Sequence, residues 1–165
     1  MMIRRGSAGY YLNGVVARWP RAAVSLRDAD TYARAGGVGV QDLAAADLAL
    51  KNIYIADSPV TFQTASGTTV QNPVDLAGNA LVASAATTAG SLFTAFPATI
   101  GATTTGADFD WTPAANAAIA SGGLPTFTGK LATVAGTAVS GTAHRGAAAP
   151  GGAKWWAGWT RYARN

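Results

Sequence analysis

Residues Asn13-Gly14-Val15-Val16-Ala17-Arg18-Trp19-Pro20 recur without gaps as Asn52-Ile53-Tyr54-Ile55-Ala56-Asp57-Ser58-Pro59, an offset from 13 to 52 of 39 residues. Both copies keep Asn, Ala and Pro and an apolar pair between them. A segment of strand, corner and strand that returns at a fixed distance is stable only when its copies stack, because one copy alone cannot cover its own apolar face. Beyond the proline, Val24-Ser25-Leu26 matches Val60-Thr61-Phe62 once residues are dropped from the first copy. The rival reading is local, since Asn13-Gly14 is a strong two-residue hairpin signal between Tyr10-Tyr11-Leu12 and Val15-Val16-Ala17. The second copy favours stacked parallel strands, which is the architecture of a β-helix. In that arrangement Asn13 and Asn52 stack at one corner, hydrogen-bond up the ladder and tolerate a left-handed backbone. Their alternative role is a pair of polar ligand-binding side chains.

The remainder divides by texture. Residues 3–65 carry the coils, with an excursion at about 28–48 in which Thr31-Tyr32-Ala33-Arg34 and Gln41 to Leu48 have helical composition. Residues 66–107 are dominated by Ala, Thr, Gly and Ser and read as a low-complexity insertion. Short helices are expected within it at Asp75 to Leu81 and behind the cap residue Ser91. Residues 108–165 begin with Asp108-Phe109-Asp110-Trp111-Thr112-Pro113, whose Thr-Pro predicts a helix over Ala114 to Ala120, stopped by Gly122-Gly123. They end in Trp155-Trp156-Ala157-Gly158-Trp159. The whole is read as one domain.

Charge and composition exclude several classes. Only 12% of the residues are charged and there is no Glu, so the chain is neither a charged disordered tail nor composed like an ordinary enzyme. The net charge is +4. Its basic residues are scattered from Arg4 to Arg164, and the densest set (Arg18, Arg21, Arg27 and Arg34) is interleaved with Asp28 and Asp30. Nucleic acid is therefore not an expected partner, because tracking phosphates needs a continuous basic patch. The absence of cysteine removes disulfides, thiolate metal sites and cysteine nucleophiles. No run of about 20 apolar residues is present, so no transmembrane segment is expected. Met1 to Gly6 has basic residues without a following apolar region and does not read as a signal peptide.

Ile3-Arg4-Arg5-Gly6-Ser7 with Leu12 to Val16, and later His144-Arg145-Gly146-Ala147, Trp155-Trp156 and Gly158-Trp159-Thr160, resemble the C-terminal part of large uncharacterised bacterial secreted or surface-anchored proteins, lipoproteins among them. In those proteins an Arg-Arg-Gly coil leads into an Asn-x-x-Val rung, and the chain closes with a Tyr-x-Gly-Ala-Phe turn and a Trp-x-x-Gly-Trp-Thr end. This chain departs from that pattern at His144, Arg145 and Ala148, the last standing where an aromatic is usual. The resemblance implies a right-handed parallel β-helix fragment, mainly β, located at the outer cell surface or outside the cell. It also implies that upstream coils and an export signal lie in preceding sequence, making the upstream part of the same polypeptide a partner. It carries over no catalytic residues.

Chemistry is sparse. His144 is the single histidine, and with Ser140 and Asp108 or Asp110 it could be arranged as a triad, but no Gly-x-Ser-x-Gly elbow exposes a nucleophile. His144 is read as a polar residue of a surface turn. Asp108 and Asp110 could offer oxygens to Ca²⁺, yet two aspartates fall short of the six to eight ligands required, and an N-cap or solvated-turn role is the simpler one. The same pair with Asp57 could act as acid and base on a polysaccharide, given the right separation. Gly36-Gly37-Val38-Gly39 lacks the Lys-Ser/Thr of a phosphate loop. The tryptophans fit a packed closure better than a sugar-stacking platform, with Trp156 or Trp159 buried, Trp155 exposed, and Trp159→Ala costing about 3 kcal/mol.

The reading is a non-enzymatic structural or adhesive part of an exported bacterial surface protein. It uses no cofactor and no metal, and surface polysaccharide or other surface proteins are its candidate partners. The alternatives are a carbohydrate-active β-helix enzyme using aspartates and a phage structural module.

Overall fold

The computed structural model describes residues 1–35, 46–63, 82–84 and 86–158. Ten short strands are described: β1 (Met2–Arg4), β2 (Gly9–Leu12), β3 (Val15–Ala17), β4 (Ala22–Arg27), β5 (Leu48–Lys51), β6 (Tyr54–Ala56), β7 (Val60–Gln63), β8 (Val82–Ser84), β9 (Phe93–Ala95) and β10 (Asp110–Pro113). Two helices, α1 (Ala29–Arg34) and α2 (Gly129–Ala135), accompany them.

The repeat is realised as parallel pairing. β2 lies on β5 with Gly9 opposite Leu48, and β3 lies on β6 with Val15 opposite Tyr54, so both pairs keep the offset of the repeated sequence. β4 sits between β1 and β7, and β8 extends the β3–β6 pair. The local hairpin is thereby excluded, since β2 and β3 pair with later strands and not with each other. After the proline the register differs from the sequence alignment: Ala22 faces Val60 and Val24 faces Phe62. A slip of two residues keeps every side chain on its face, which is why hydrophobic pattern alone did not fix it.

The expected right-handed parallel β-helix does not form. The three parallel sheets are two or three strands wide, discontinuous, and neither curled nor closed, and they stand beside an antiparallel β9–β10 pair and two helices in a mixed α/β fold. The sequence holds only two copies of the repeat, too few to propagate a solenoid. With the β-helix go the resemblance that implied it and the mainly β classification.

The corners that follow β1 to β6 share one backbone feature. Arg5 and Asp28, Asn13 and Asn52, and Arg18 and Asp57 follow the ends of paired strands, and all six adopt positive φ, between 51° and 82°. A left-handed residue turns an extended chain sharply; Asn and Asp tolerate it, and the two arginines do so at some cost. That cost is offset by pairing: the Arg5 amide donates to Asp28 Oδ2 at 2.6 Å, and Arg18 Nε lies 3.6 Å from Asp57 Oδ2.

Burial follows the layout. Ala22 to Leu26 and Leu48 to Leu50 are buried without a break, as befits parallel strands covered on both faces. Ile3, Val24, Leu26, Leu48, Leu50, Ile53 and Ile55 form the main core, and Tyr54, Ala56, Leu92 and Ile119 a second one. Asp28 caps α1 by accepting from the Thr31 amide at 2.9 Å; the helical excursion is therefore correct over its first part, while residues 36–45 lie outside the described residues. Leu48, read as helical, begins β5.

Two other expected helices are corrected. Ala114 to Ala120 forms turns, Ala117 bonding to Ala114 and Ala120 to Ala117, because Asn116 at φ 63° takes the chain out of helical geometry. Behind Ser91, which ends a 3₁₀ turn at Ala89–Ser91, the chain enters β9, where Phe93 is placed against Trp111. The segment Asp75 to Leu81 lies outside the described residues, as does Gly36-Gly37-Val38-Gly39.

Candidate binding cleft

The asparagine corner organises the second half of the chain. Asn13 and Asn52 are left-handed as expected, but their side chains do not bond each other. Asn13 Nδ2 donates to Thr142 Oγ1 at 3.0 Å and to the carbonyls of Thr142 and Leu124, while Asn13 Oδ1 accepts from the Leu124 amide at 2.6 Å. Asn52 Nδ2 donates to the Gly122 carbonyl at 2.9 Å, and its buried Oδ1 has no hydrogen-bond partner among the described residues. Thus residues 122–146 run back across the corner as a strap, closed on itself by the Gly123 amide donating to the Ala143 carbonyl.

Arg145 fastens the strap from within. It is 7% exposed; Nε donates to the Asn52 carbonyl at 3.1 Å, one terminal nitrogen donates to the carbonyls of Ser121 and Ala118, and the guanidinium stands 5.9 Å from the Tyr54 ring centroid. Burial pulls its pKa below the ordinary arginine value, an effect opposed by the Tyr54 phenol. Main-chain carbonyls aimed at the fork keep the cation solvated by the protein. Gly122, at φ 75°, lies so close to this guanidinium that a Cβ there would collide with it.

Between the β2–β3 corner and the strap opens a cleft of about 730 Å³. Tyr10, Phe93, Trp111, Phe127, Trp155 and Trp156 bring six aromatic side chains to its walls, Asn13, Ser140 and Thr142 bring polar atoms, and among the described residues no charged one lines it. Its size falls within the range of small-molecule sites. Trp111 is stacked on Phe109, ring centroids 5.2 Å apart, and meets Phe93 edge to face at 5.3 Å. Trp156 is buried at 4% exposure and Trp155 is 51% exposed, the division expected for that pair, whereas Trp159 lies outside the described residues. Trp155 Nε1 donates to the Ala147 carbonyl at 2.9 Å.

The acidic residues are elsewhere. Asp108 Oδ2 accepts from the Thr105 amide at 2.6 Å and closes a 3₁₀ turn, an N-terminal capping role. Asp110, in contrast to exposed Asp108, is buried; it accepts from the Thr112 amide and hydroxyl through Oδ1 and lies 2.8 Å from Lys154 Nζ through Oδ2. The Lys154 contact holds the Asp110 carboxyl below the usual range, with burial opposing and Thr112 assisting. Asp57 pairs with Arg18. The two aspartates weighed as calcium ligands thus face different partners, and among the described residues no group of three His, Asp or Glu side chains gathers. His144 is half-buried beside the strap corner, its carbonyl accepting from the Thr142 hydroxyl at 2.9 Å, and Ser140 is exposed on the cleft.

No described helix is long and apolar enough to cross a membrane. Tyr10, Phe93, Trp111 and Phe127 were not singled out by the sequence; the only signal was their scarcity, since aromatics make up 9% of the chain and are scattered along it. Compared with protein-family models, with curated proteins and with solved structures, the chain matches none.

Proposed function

We propose that the chain is a non-enzymatic adhesive part of an exported bacterial cell-surface protein, working at the outer surface or outside the cell through the aromatic cleft. The observation that supports this is the separation of chemistry from cavity. Asp57, Asp108 and Asp110, the carboxylates suited to acid and base work, each serve a structural partner, and none lines the cleft. What lines it is apolar and aromatic, a surface for holding a ligand. The ligands proposed are surface polysaccharide or other surface proteins. Among the described residues β2 and β3 pair on one side only, which leaves an edge to which the upstream part of the polypeptide can add.

The test is incubation with acidic and neutral polysaccharides, with and without Ca²⁺, followed by reducing-end assay and by retention on polysaccharide-coated beads. Retention without new reducing ends is expected. Cleavage that disappears in Asp108→Ala and Asp110→Ala would overturn the reading in favour of an aspartate-dependent carbohydrate-active enzyme.

A further inference from the structure

We propose that the cleft is a subsite for an uncharged oligosaccharide, with Trp155 as the ring on which a sugar stacks; this rests on the adhesive reading above and narrows its ligand. Trp155 is fixed before any ligand arrives. Its Nε1 is committed to the Ala147 carbonyl at 2.9 Å, and its ring meets buried Trp156 at a right angle with centroids 5.7 Å apart. Half of the residue nonetheless stays exposed, and it is one of the residues that line the cleft. A ring held by its polar edge, with surface left open, loses little freedom when it receives a flat apolar partner.

The rest of the lining selects the partner. Among the described residues no Lys, Arg, Asp or His contributes to the wall, so against this lining a charged sugar would lose hydration without gaining an ion pair. Phe93 and Trp111 supply further aromatic surface on the same cleft. Polar atoms accompany them: Ser140 carries a hydroxyl with no partner among the described residues, and the Asn13–Thr142 pair carries polar atoms already oriented by their 3.0 Å hydrogen bond. Apolar faces combined with a hydroxyl fringe are the chemistry of a neutral pyranose chain.

An acyl chain fits less well. It would cover the Ser140 hydroxyl without offering it a partner.

The experiment is calorimetric titration of the full chain with maltohexaose, cellohexaose, laminarihexaose and chitohexaose, and with a hexagalacturonate as the charged comparison. Binding of at least one neutral oligosaccharide in preference to the galacturonate is expected. Trp155→Ala should weaken it roughly tenfold without moving the thermal midpoint, Trp155→Tyr should restore most of it, and Ser140→Ala should weaken it less. No binding across the neutral series at millimolar concentration, preference for the galacturonate, or binding indifferent to Trp155→Ala would each overturn the assignment. Products of cleavage in the same samples would overturn the non-enzymatic reading while leaving the cleft assignment standing. Conversely, absence of sugar binding with retention on protein-coated beads would remove the cleft assignment and leave the adhesive reading.

Discussion

Arg145 donates its Nε–H to the main-chain carbonyl of Asn52, 93 residues earlier in the chain, and so ties the strap to a strand corner from inside the protein. The same guanidinium serves the carbonyls of Ser121 and Ala118, so one cation organises three carbonyls on two stretches of backbone. Replacing it with Met should cost about 3 kcal/mol, because carbonyls that now accept from a charged donor are left buried. Arg145→Lys should recover little, since a single ammonium cannot reproduce the fork. Urea unfolding of the three proteins measures both effects; a variant within about 0.5 kcal/mol of wild type would mean the strap is held without Arg145.

Gly122 and Gly136 make a matched comparison. Both have positive φ, 75° and 53°, but a Cβ at Gly122 strikes the Arg145 guanidinium whereas one at Gly136 meets open space. Gly136→Ala should therefore cost about 1 kcal/mol, the backbone penalty alone. Gly122→Ala should cost at least twice that and, unlike Gly136→Ala, should lose most of the excess in the Arg145→Met background. A double-mutant cycle read by chemical denaturation checks the coupling.

The two corner asparagines should respond unequally. Asn13→Gly keeps the left-handed backbone but removes the bonds to Leu124 and Thr142, for an expected loss of about 2 kcal/mol. Asn52→Gly removes one hydrogen bond together with the unpartnered Oδ1, and its loss should be smaller. Equal losses would show that the corner, and not the strap, is what the side chains support.

Trp156 and Trp155 separate packing from exposure. Trp156→Ala should destabilise by about 3 kcal/mol as a buried indole is lost, while Trp155→Ala should change stability by under about 1 kcal/mol. Thermal melts of both variants decide this, and they also supply the folding control for any ligand titration.

Acid should destabilise the protein through carboxylates. Asp28 is held below its ordinary pKa by the amides of Arg5 and Thr31, Asp47 by Lys130 and Arg34, and Asp110 chiefly by Lys154. For a lowered folded pKa, the stabilisation is present above the unfolded carboxylate range, near about pH 4, and is lost as pH falls through the folded values. The thermal midpoint is expected to fall on acidification from about pH 5 to about pH 2, and to fall less in Asp110→Asn. An unchanged acid slope in that variant would remove Lys154–Asp110 from the contributors.

Short-range signals were legible in the chain. Tyr10 to Leu12, Val15 to Ala17 and Ala23 to Leu26 are strands, Thr31 to Arg34 is helical, and the Asn13/Asn52 repeat is a parallel pairing in register. These depend on alternation, punctuation and repetition, which are local properties or direct copies. Misreadings arose where a backbone angle or a distant neighbour decided: Asn116 left-handed inside an alanine run, Phe93 drawn into a strand by Trp111, Val24 placed opposite Phe62.

The sequence by itself determined that two copies of a strand-corner-strand unit pair in parallel and that their corners carry residues suited to a left-handed turn. Only the tertiary structure decided that the sheets stop short of a β-helix, that Asn13 and Asn52 reach sideways to a strap, and that rings from Tyr10 to Trp156 meet in one cleft. The reason is physical: pairing at a repeated offset is written in the repeat, whereas Arg145 finds Asn52, and Trp155 finds the cleft, through contacts between segments that share no periodicity and whose closure is settled by packing.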